Sequence, residues 1–438
     1  MKIRAAPPIG REACWLERAP PVSCAVSISP AALSDARIAA AYAIFSASYL
    51  VFALGKFPGT KIDRPGAAII GAVLMFAFRI LQPGSALRFI DFSTLVLLFS
   101  MMLIVGNLRV VKFFEWIAQI VLQRLKPPDL LPAVIFTSGI LSAFFVNDIV
   151  CLVMVPFVLT ITRRASARPL PFLLAVATAS NIGSVATITG NPQNMLIGSF
   201  SGISYRDFLV RLGPVAIVGL LLDWLILHLL FPEHGMHTPK EKEFSVARPT
   251  AAELRRPLLV VVAVLAGFFA GVPPAMMAAI GAALLLITRT LDPVQLYEHV
   301  DWGLLVFFIG LFLIVGGAET SGLVGELLGI ARHWNLQQPL VFTIVAALLA
   351  NIVSNVPAVM LLKSLVPGFA NPHTAWLVLA MASTLAGNLT ITGSVANIIV
   401  VESARPEVQI RFRDYFRAGL PITVATLIVG SAWLAVVK

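Results

Sequence analysis

The sequence predicts an all-α polytopic membrane protein: two inverted five-helix repeats, each with a re-entrant hairpin and a discontinuous helix. Three observations predict this. First, 58% of the 438 residues are hydrophobic and only 12% are charged, whereas soluble domains are about a quarter charged. With a mean hydropathy of +0.90, most of the chain has the bilayer as its solvent. Second, the apolar runs 130–162, 171–200, 338–367 and 374–401 exceed the ~20 residues of a simple span and are interrupted by polar residues. Third, the two halves carry matching motifs at a nearly constant offset.

The net charge of +10 sits between the apolar segments. It therefore reads as a topology signal and not as a nucleic-acid surface. Cys14, Cys24 and Cys151 have neither metal-ligand spacing nor the pattern of a disulfide framework. Residues 1–37 carry prolines and charges without a sustained apolar run; they read as a disordered extension with no cleavable leader. A first transmembrane repeat is expected over 38–231, a polar cytoplasmic linker over 232–255, and a second repeat over 256–438.

In chain order, full crossings are expected at 38–54, 66–82, 94–110, 171–200 and 207–231, with counterparts at 256–271, 274–289, 303–318, 374–401 and 414–437. The runs 130–162 and 338–367 would enter and leave by one face. Five crossings per repeat is an odd number, so the second repeat would lie upside down relative to the first, as in many secondary transporters. Segments 109–126 and 319–334 are amphipathic and suit helices at the membrane surface.

With the N-terminus outside, the loops 55–65, 111–170, 232–255, 290–302 and 402–413 are internal and hold most of the Lys and Arg. The positive-inside rule thus favours this orientation in a cell (inner) membrane.

The repeat is most specific in Thr187-Ile188-Thr189-Gly190, with Asn194 four residues on. It recurs as Thr390-Ile391-Thr392-Gly393 with Asn397 four residues on. Asn147 is matched with Asn355 and Asn181 with Asn388. At the first hairpin Asn147-Asp148 suits a turn at mid-depth, because Asn and Asp can bond their own backbone; the second offers Ser354-Asn355. The clusters Ser180-Asn181-Ile182-Gly183 to Asn191, and Gly387-Asn388 to Ser394, are too polar for a lipid-facing helix. They fit helices that unwind at the midplane, where free N–H groups can hold an anion and free carbonyls can hold Na⁺. The bland alternative is helix–helix adhesion by small and polar side chains. Asp148 is an acid at a hairpin tip, either a proton or cation partner or a turn cap. Asp223 reads as a packing pair with His228 or another helix, and Lys363 as snorkelling to the outer surface.

At these residues the chain resembles the ion transporter superfamily, whose members include arsenite pump subunits, citrate–metal transporters, NhaD-type antiporters and divalent-anion symporters. The strings that carry the resemblance are Phe145-Val146-Asn147-Asp148, Ala179-Ser180-Asn181-Ile182-Gly183 through Gly190-Asn191-Pro192, and Leu385-Ala386-Gly387-Asn388-Leu389-Thr390. The resemblance implies a scaffold and a transport domain, elevator-like alternating access and a homodimer. It implies one half-site from Asn147, Asp148, Ser180, Asn181 and Gly183 and another from Asn355, Asn388 and Thr390, and the polar tips and breaks themselves add Thr187, Thr189, Asn191, Asn194, Ser354, Thr392 and Asn397 as candidate solute or ion ligands. The symporters' Ser-Asn-Thr tips read Val146-Asn147-Asp148 and Ser354-Asn355-Val356 here, which departs from a dicarboxylate and two-Na⁺ arrangement and moves toward the arsenite-pump branch.

The expectation is a secondary transporter of a small anion, oxyanion or metalloid (arsenite or carboxylate-like). It is coupled to H⁺ or Na⁺, with Na⁺ at Asn147, Asn181, Asn355 and Asn388 as one option, and it has no other cofactor. Its partners are the lipid bilayer and the solute, not nucleic acid. An ion channel, or a cation/proton antiporter on the same fold, is the alternative. No HExxH motif, nucleophile–base arrangement or P-loop is present, so an enzyme is not expected and any use of ATP would need a partner.

Overall fold

A computed structural model describes residues 34–57, 59–122, 129–165, 167–232, 250–288, 293–332 and 334–437. The first 33 residues and most of the linker (233–249) lie outside the described residues, and so do the expectations attached to them.

The first half runs α1 (Asp35–Leu54), α2 (Arg64–Ala77), α3 (Pro83–Ala86), α4 (Phe92–Val110), α5 (Phe113–Leu122), α6 (Leu130–Phe144), α7 (Asn147–Arg164), α8 (Pro169–Ser184), α9 (Pro192–Ser201) and α10 (Tyr205–Leu230). The second half repeats the order: α11 (Ala251–Phe269), α12 (Pro274–Ile287), α13 (Pro293–Tyr297), α14 (Trp302–Thr320), α15 (Leu323–Arg332), α16 (Pro339–Val353), α17 (Asn355–Leu362), α18 (Pro372–Ala386), α19 (Val395–Ala404) and α20 (Phe412–Val436). Helix α11 starts five residues earlier than the linker boundary implied. Thr250 caps it, accepting from Glu253 N while the Glu253 carboxylate accepts from Thr250 N.

Among the described residues, five helices, α1, α4, α10, α14 and α20, are long and apolar enough to cross a membrane. The exposed side chains are largely apolar, as in Ile217, Leu221, Leu225 and Leu229 on α10 and Ile344, Leu348 and Ile352 on α16. Such stripes belong against lipid tails. At 1.5 Å per residue, α8 and α9 reach about 24 and 15 Å, so neither alone crosses a hydrocarbon core of about 30 Å and together they do. The arms of the second hairpin, α16 and α17, are shorter still than a span.

Two packed groups result. Helix α2 packs on α14 and α4 on α12, a reciprocal exchange between the halves. Helices α6 to α10 pack with α16 to α20, through the pairs α6–α8, α16–α18, α7–α19 and α10–α20. Gly183 lets α8 approach α6 closely, because a Cβ there would lie 2.0 Å from Gly139 O.

Candidate functional site: two tips and two breaks around one cavity

Each break is built by the same device. Asn194, in the first turn of α9, donates from Nδ2 to Ser184 O (3.0 Å) and Thr187 O (3.0 Å). Its counterpart Asn397 donates to Gly387 O (2.6 Å) and Thr390 O (2.9 Å). Carbonyls released where the helix stops are thus satisfied by a side chain from where it resumes, as a low-dielectric setting demands. Asn191 caps α9 by accepting from Asn194 N (2.8 Å).

These bonds fix the register of the repeat at 203 residues. That register corrects one pairing. The residue equivalent to Asn181 is Thr384, not Asn388, and Asn388 falls opposite Val185. The interactions agree. Asn181 binds the second break: its Oδ1 accepts from Ser394 Oγ (3.0 Å) and its Nδ2 donates to Asn397 Oδ1 (2.9 Å). Thr384 binds the first break, where it receives Asn191 Nδ2 (3.3 Å) and Gln193 Nε2 (3.2 Å) and faces Asn194 Oδ1 (3.5 Å). Asn388 joins from the side, accepting from Asn181 Nδ2 (2.9 Å) and donating to Thr178 O (3.3 Å).

The first hairpin turns two residues earlier than expected, and the second turns at Ser354. Asn147 and Asp148 form the first turn of the returning helix α7, and the turn itself is Phe145-Val146. Asn147 donates from Nδ2 to Asn181 Oδ1 (3.0 Å) and from its backbone to Gly190 O (3.0 Å), while its buried Oδ1 has no partner. On the other tip, Asn355 orients its amide so that Nδ2 donates to Gly393 O (3.2 Å) and Ser383 O (3.0 Å), and Oδ1 accepts from Gln193 Nε2 (3.2 Å). Ser354 holds φ +76° and ψ 159°, a region that strains a residue with a Cβ.

Tips and breaks meet at a cavity of about 300 Å³. Asn147 and Asp148 line it from one tip, Ser354, Asn355 and Val356 from the other, and Pro192, Gln193, Ser394 and Val395 from the breaks. A third wall comes from the start of α2 (Asp63, Arg64, Pro65) and the start of α14 (Asp301, Gly303, Leu304, Phe307). Asp63 and Asp301 cap those helices, accepting from Gly66 N (2.9 Å) and Leu304 N (2.8 Å). The ionisable residues lining the cavity are thus three acids, Asp63, Asp148 and Asp301, and one arginine, Arg64.

Other expected site residues face elsewhere. Ser180 donates to Ala177 O (2.9 Å) and touches Cys151 Sγ (3.0 Å). Thr187 donates to Ala143 O, and Thr189 meets Tyr205 Oη (3.0 Å). Thr390 and Thr392 face each other at 3.4 Å, with Thr392 exposed. Gly183 is a packing contact. Asn181, Asn191, Asn194, Asn388 and Asn397 hold the breaks together and are absent from the cavity lining. Lys363 does not simply snorkel: it pairs with Glu319 (3.8 Å) and lies over the Phe200 ring (4.4 Å). Asp223 is bonded by Thr178 Oγ1 (3.1 Å). Thr384, Gln193, Ser394 and the α2 and α14 starts were not singled out from sequence. Carrying the 203-residue offset of the Thr-Ile-Thr-Gly motif back to Asn181 would have found Thr384.

Comparison with known proteins agrees with this architecture. The chain is 29% identical over 467 residues to the silicon efflux transporter LSI3 of Oryza sativa subsp. japonica, covering 88% of this chain and 95% of the relative. It is 26% identical over 487 residues to an arsB transporter of Dictyostelium discoideum, covering 84% and 86%. In fold it is similar to the Alcanivorax borkumensis YdaH transporter, with a TM-score of 0.57 and 15% identity over 92% of this chain and 97% of that one. The citrate transporter family model matches residues 49–386. This multi-pass membrane protein belongs to the citrate transporter family, within the ion transporter superfamily.

Proposed function

We propose that the protein is a secondary active transporter of a small oxyacid, taken as the oxyanion or as its uncharged hydroxyl form, coupled to H⁺ or Na⁺ and working by elevator-type alternating access. One observation carries this reading: residues from both hairpin tips and both helix breaks line a single cavity of about 300 Å³. Neither break alone could surround a solute. The names of the relatives, a silicon efflux transporter and an arsB transporter, support the substrate class.

The wall charges refine it. Asp63, Asp148 and Asp301 outnumber Arg64, so a polyanion such as citrate would meet net repulsion at close range. A neutral, hydroxyl-rich solute instead finds amides and hydroxyls in Asn147, Gln193, Ser354, Asn355 and Ser394. Arsenous or silicic acid has this character. A Na⁺ cage from the four asparagines is less well supported. The side-chain oxygens of Asn181, Asn355 and Asn388 are occupied by neighbouring amides, and only Asn147 Oδ1 among the four is unpartnered. This favours H⁺.

In the elevator reading, α6–α10 and α16–α20 move as one body against α1–α4 and α11–α14, and the second repeat is inverted relative to the first. The cavity borders the 55–65 and 290–302 loops, which the charge pattern assigns to the cytoplasm. This supports an inward-facing state, and the reading places the chain in an inner membrane, with the N-terminus outside, as a homodimer.

Flux of arsenite, silicic acid and citrate into proteoliposomes tests this. Arsenite or silicic acid should move in the wild type and fail to move with Asn181→Ala or Asn388→Ala in protein that remains folded. Normal transport in both variants would overturn the site, and flux insensitive to any imposed H⁺ or Na⁺ gradient would favour a channel.

A further inference from the structure

The cavity does not account for Asp223. This carboxyl group lies in the interior of the 26-residue helix α10 and has no exposed surface. No ion pair among the described residues involves it, and its Oδ1 has no hydrogen-bond partner. An uncompensated carboxylate in such a place costs several kcal/mol, and an intramembrane acid that is retained has a functional role by default.

The bonds around Asp223 admit two states. Thr178 Oγ1 lies 2.9 Å from Leu174 O and 3.1 Å from Asp223 Oδ2. A hydroxyl has one proton and two lone pairs. Thr178 can donate to Leu174 O and still bond Asp223 only if the carboxyl group carries a proton and donates it to Thr178 Oγ1. When the proton leaves, the Thr178 hydroxyl must turn from Leu174 O to the carboxylate. Two protonation states therefore correspond to two hydroxyl orientations on α8.

Helix α8 does not line the solute cavity but is bonded to its wall. Thr178 O accepts from Asn388 Nδ2 (3.3 Å), Asn388 Oδ1 accepts from Asn181 Nδ2 (2.9 Å), and Asn181 Oδ1 accepts from Asn147 Nδ2 (3.0 Å) at the cavity wall. We propose that Asp223 is a proton-binding site, separate from the solute cavity, that carries one proton per cycle and is linked to the cavity through Thr178, Asn388 and Asn181.

The helices packed on α10 are α6, α8, α11, α18 and α20. Neither α6 nor α8 has an ionisable side chain. Helix α18 brings His373, which is bonded to Asp207 (2.6 Å). Helix α11 brings Glu253, Arg255 and Arg256 in its first two turns, and α20 brings Arg413, Asp414, Tyr415 and Arg417. Along α10 itself stand Arg206, Asp207 and Arg211 at the start, and His228 beside Trp224 near the end. The buried Tyr415 phenol, also without a partner, is the neighbour within electrostatic reach of Asp223. Protonation of Asp223 is thus opposed by no fixed positive charge in contact with it.

The inference rests on the transport reading, and its test keeps the two apart. In proteoliposomes loaded with arsenite, wild-type protein should exchange solute without a gradient and accumulate it under an imposed pH gradient. Asp223→Asn keeps the shape but cannot cycle a proton. It should retain exchange to within about threefold and lose gradient-driven accumulation at least tenfold, while Asp148→Asn should impair exchange itself. Thr178→Val should shift the pH midpoint of accumulation. Wild-type accumulation by Asp223→Asn would overturn the proposal. Difference infrared spectroscopy needs no solute: a carboxylic C=O band of the wild type should vanish in Asp223→Asn and shift in Thr178→Val. If the wild type moved none of the solutes, the transport reading would fail, and this spectrum would still decide the proton site. A band unchanged by both substitutions would refute it.

Discussion

Replacing Asn181 with alanine cuts four hydrogen bonds that join three parts of the site. Its amide accepts from Asn147 Nδ2 (3.0 Å) and Ser394 Oγ (3.0 Å), and donates to Asn388 Oδ1 (2.9 Å) and Asn397 Oδ1 (2.9 Å). It thereby ties the first hairpin tip, its own broken helix and the second break to one another. Side-chain hydrogen bonds within membranes average about 0.6 kcal/mol, so four of them amount to about 2–3 kcal/mol. The cost rises where an orphaned amide finds no water, since each unsatisfied buried group costs about 1–3 kcal/mol. Asn388→Ala loses only the bond from Asn181 and the bond to Thr178 O, or about 1 kcal/mol by the same measure. Reversible unfolding in mixed detergent micelles should therefore rank Asn181→Ala below Asn388→Ala. The double variant should show a coupling energy near 0.5–1 kcal/mol. A cost below about 0.5 kcal/mol for Asn181→Ala, or strict additivity of the pair, would refute the hub.

Further outcomes follow from the same geometry. Thr384→Val, isosteric but without its hydroxyl, should lower solute flux by an order of magnitude, because Asn191, Gln193 and Asn194 converge on that oxygen; flux equal to wild type would contradict the 203-residue register. Gly183→Ala should destabilise by about 1–3 kcal/mol through overpacking against Gly139 O, whereas Gly325→Ala, inside α15 with open space at its Cβ, should be neutral or stabilise by up to about 1 kcal/mol in the same unfolding assay. Ser354→Gly should relieve backbone strain and raise stability by about 1 kcal/mol; Ser354→Ala should not, because alanine retains the Cβ that strains φ +76°.

Periodicity and interruption made most of the fold readable. Breaks at 185–191 and 387–394 fall where Ser, Asn, Thr and Gly accumulate in otherwise apolar runs. Lipid cannot satisfy free carbonyls, so such residues mark where the backbone leaves the helix. The hairpin turns were legible for a related reason: polar residues at Asn147-Asp148 and Ser354-Asn355 interrupt the long apolar runs 130–162 and 338–367. The pairing of Asn181 was misread because residue identity was matched instead of register. An asparagine and a threonine can hold equivalent positions when each needs only one side-chain oxygen to reach the opposite break. Ser180, Thr187 and Thr189 share a motif with the cavity residues, yet they bond Ala177 O, Ala143 O of α6 and Tyr205. For Thr187 and Thr189, side-chain direction over the non-helical segment has no period to read. The contributions of Asp63, Arg64 and Asp301 are tertiary: these residues look like ordinary helix caps and loop charges until α2 and α14 are folded against the hairpin tips.

The most direct test is a density map of the membrane-embedded protein with arsenite bound, whose heavy arsenic atom is easily located. The account predicts arsenic in the cavity, within hydrogen-bonding reach of Asn147, Gln193, Ser354, Asn355 or Ser394. Arsenic in the larger groove of about 440 Å³ between α16, α18 and α20, beside Phe342, Phe369 and Leu434, with the tip cavity empty, would contradict it.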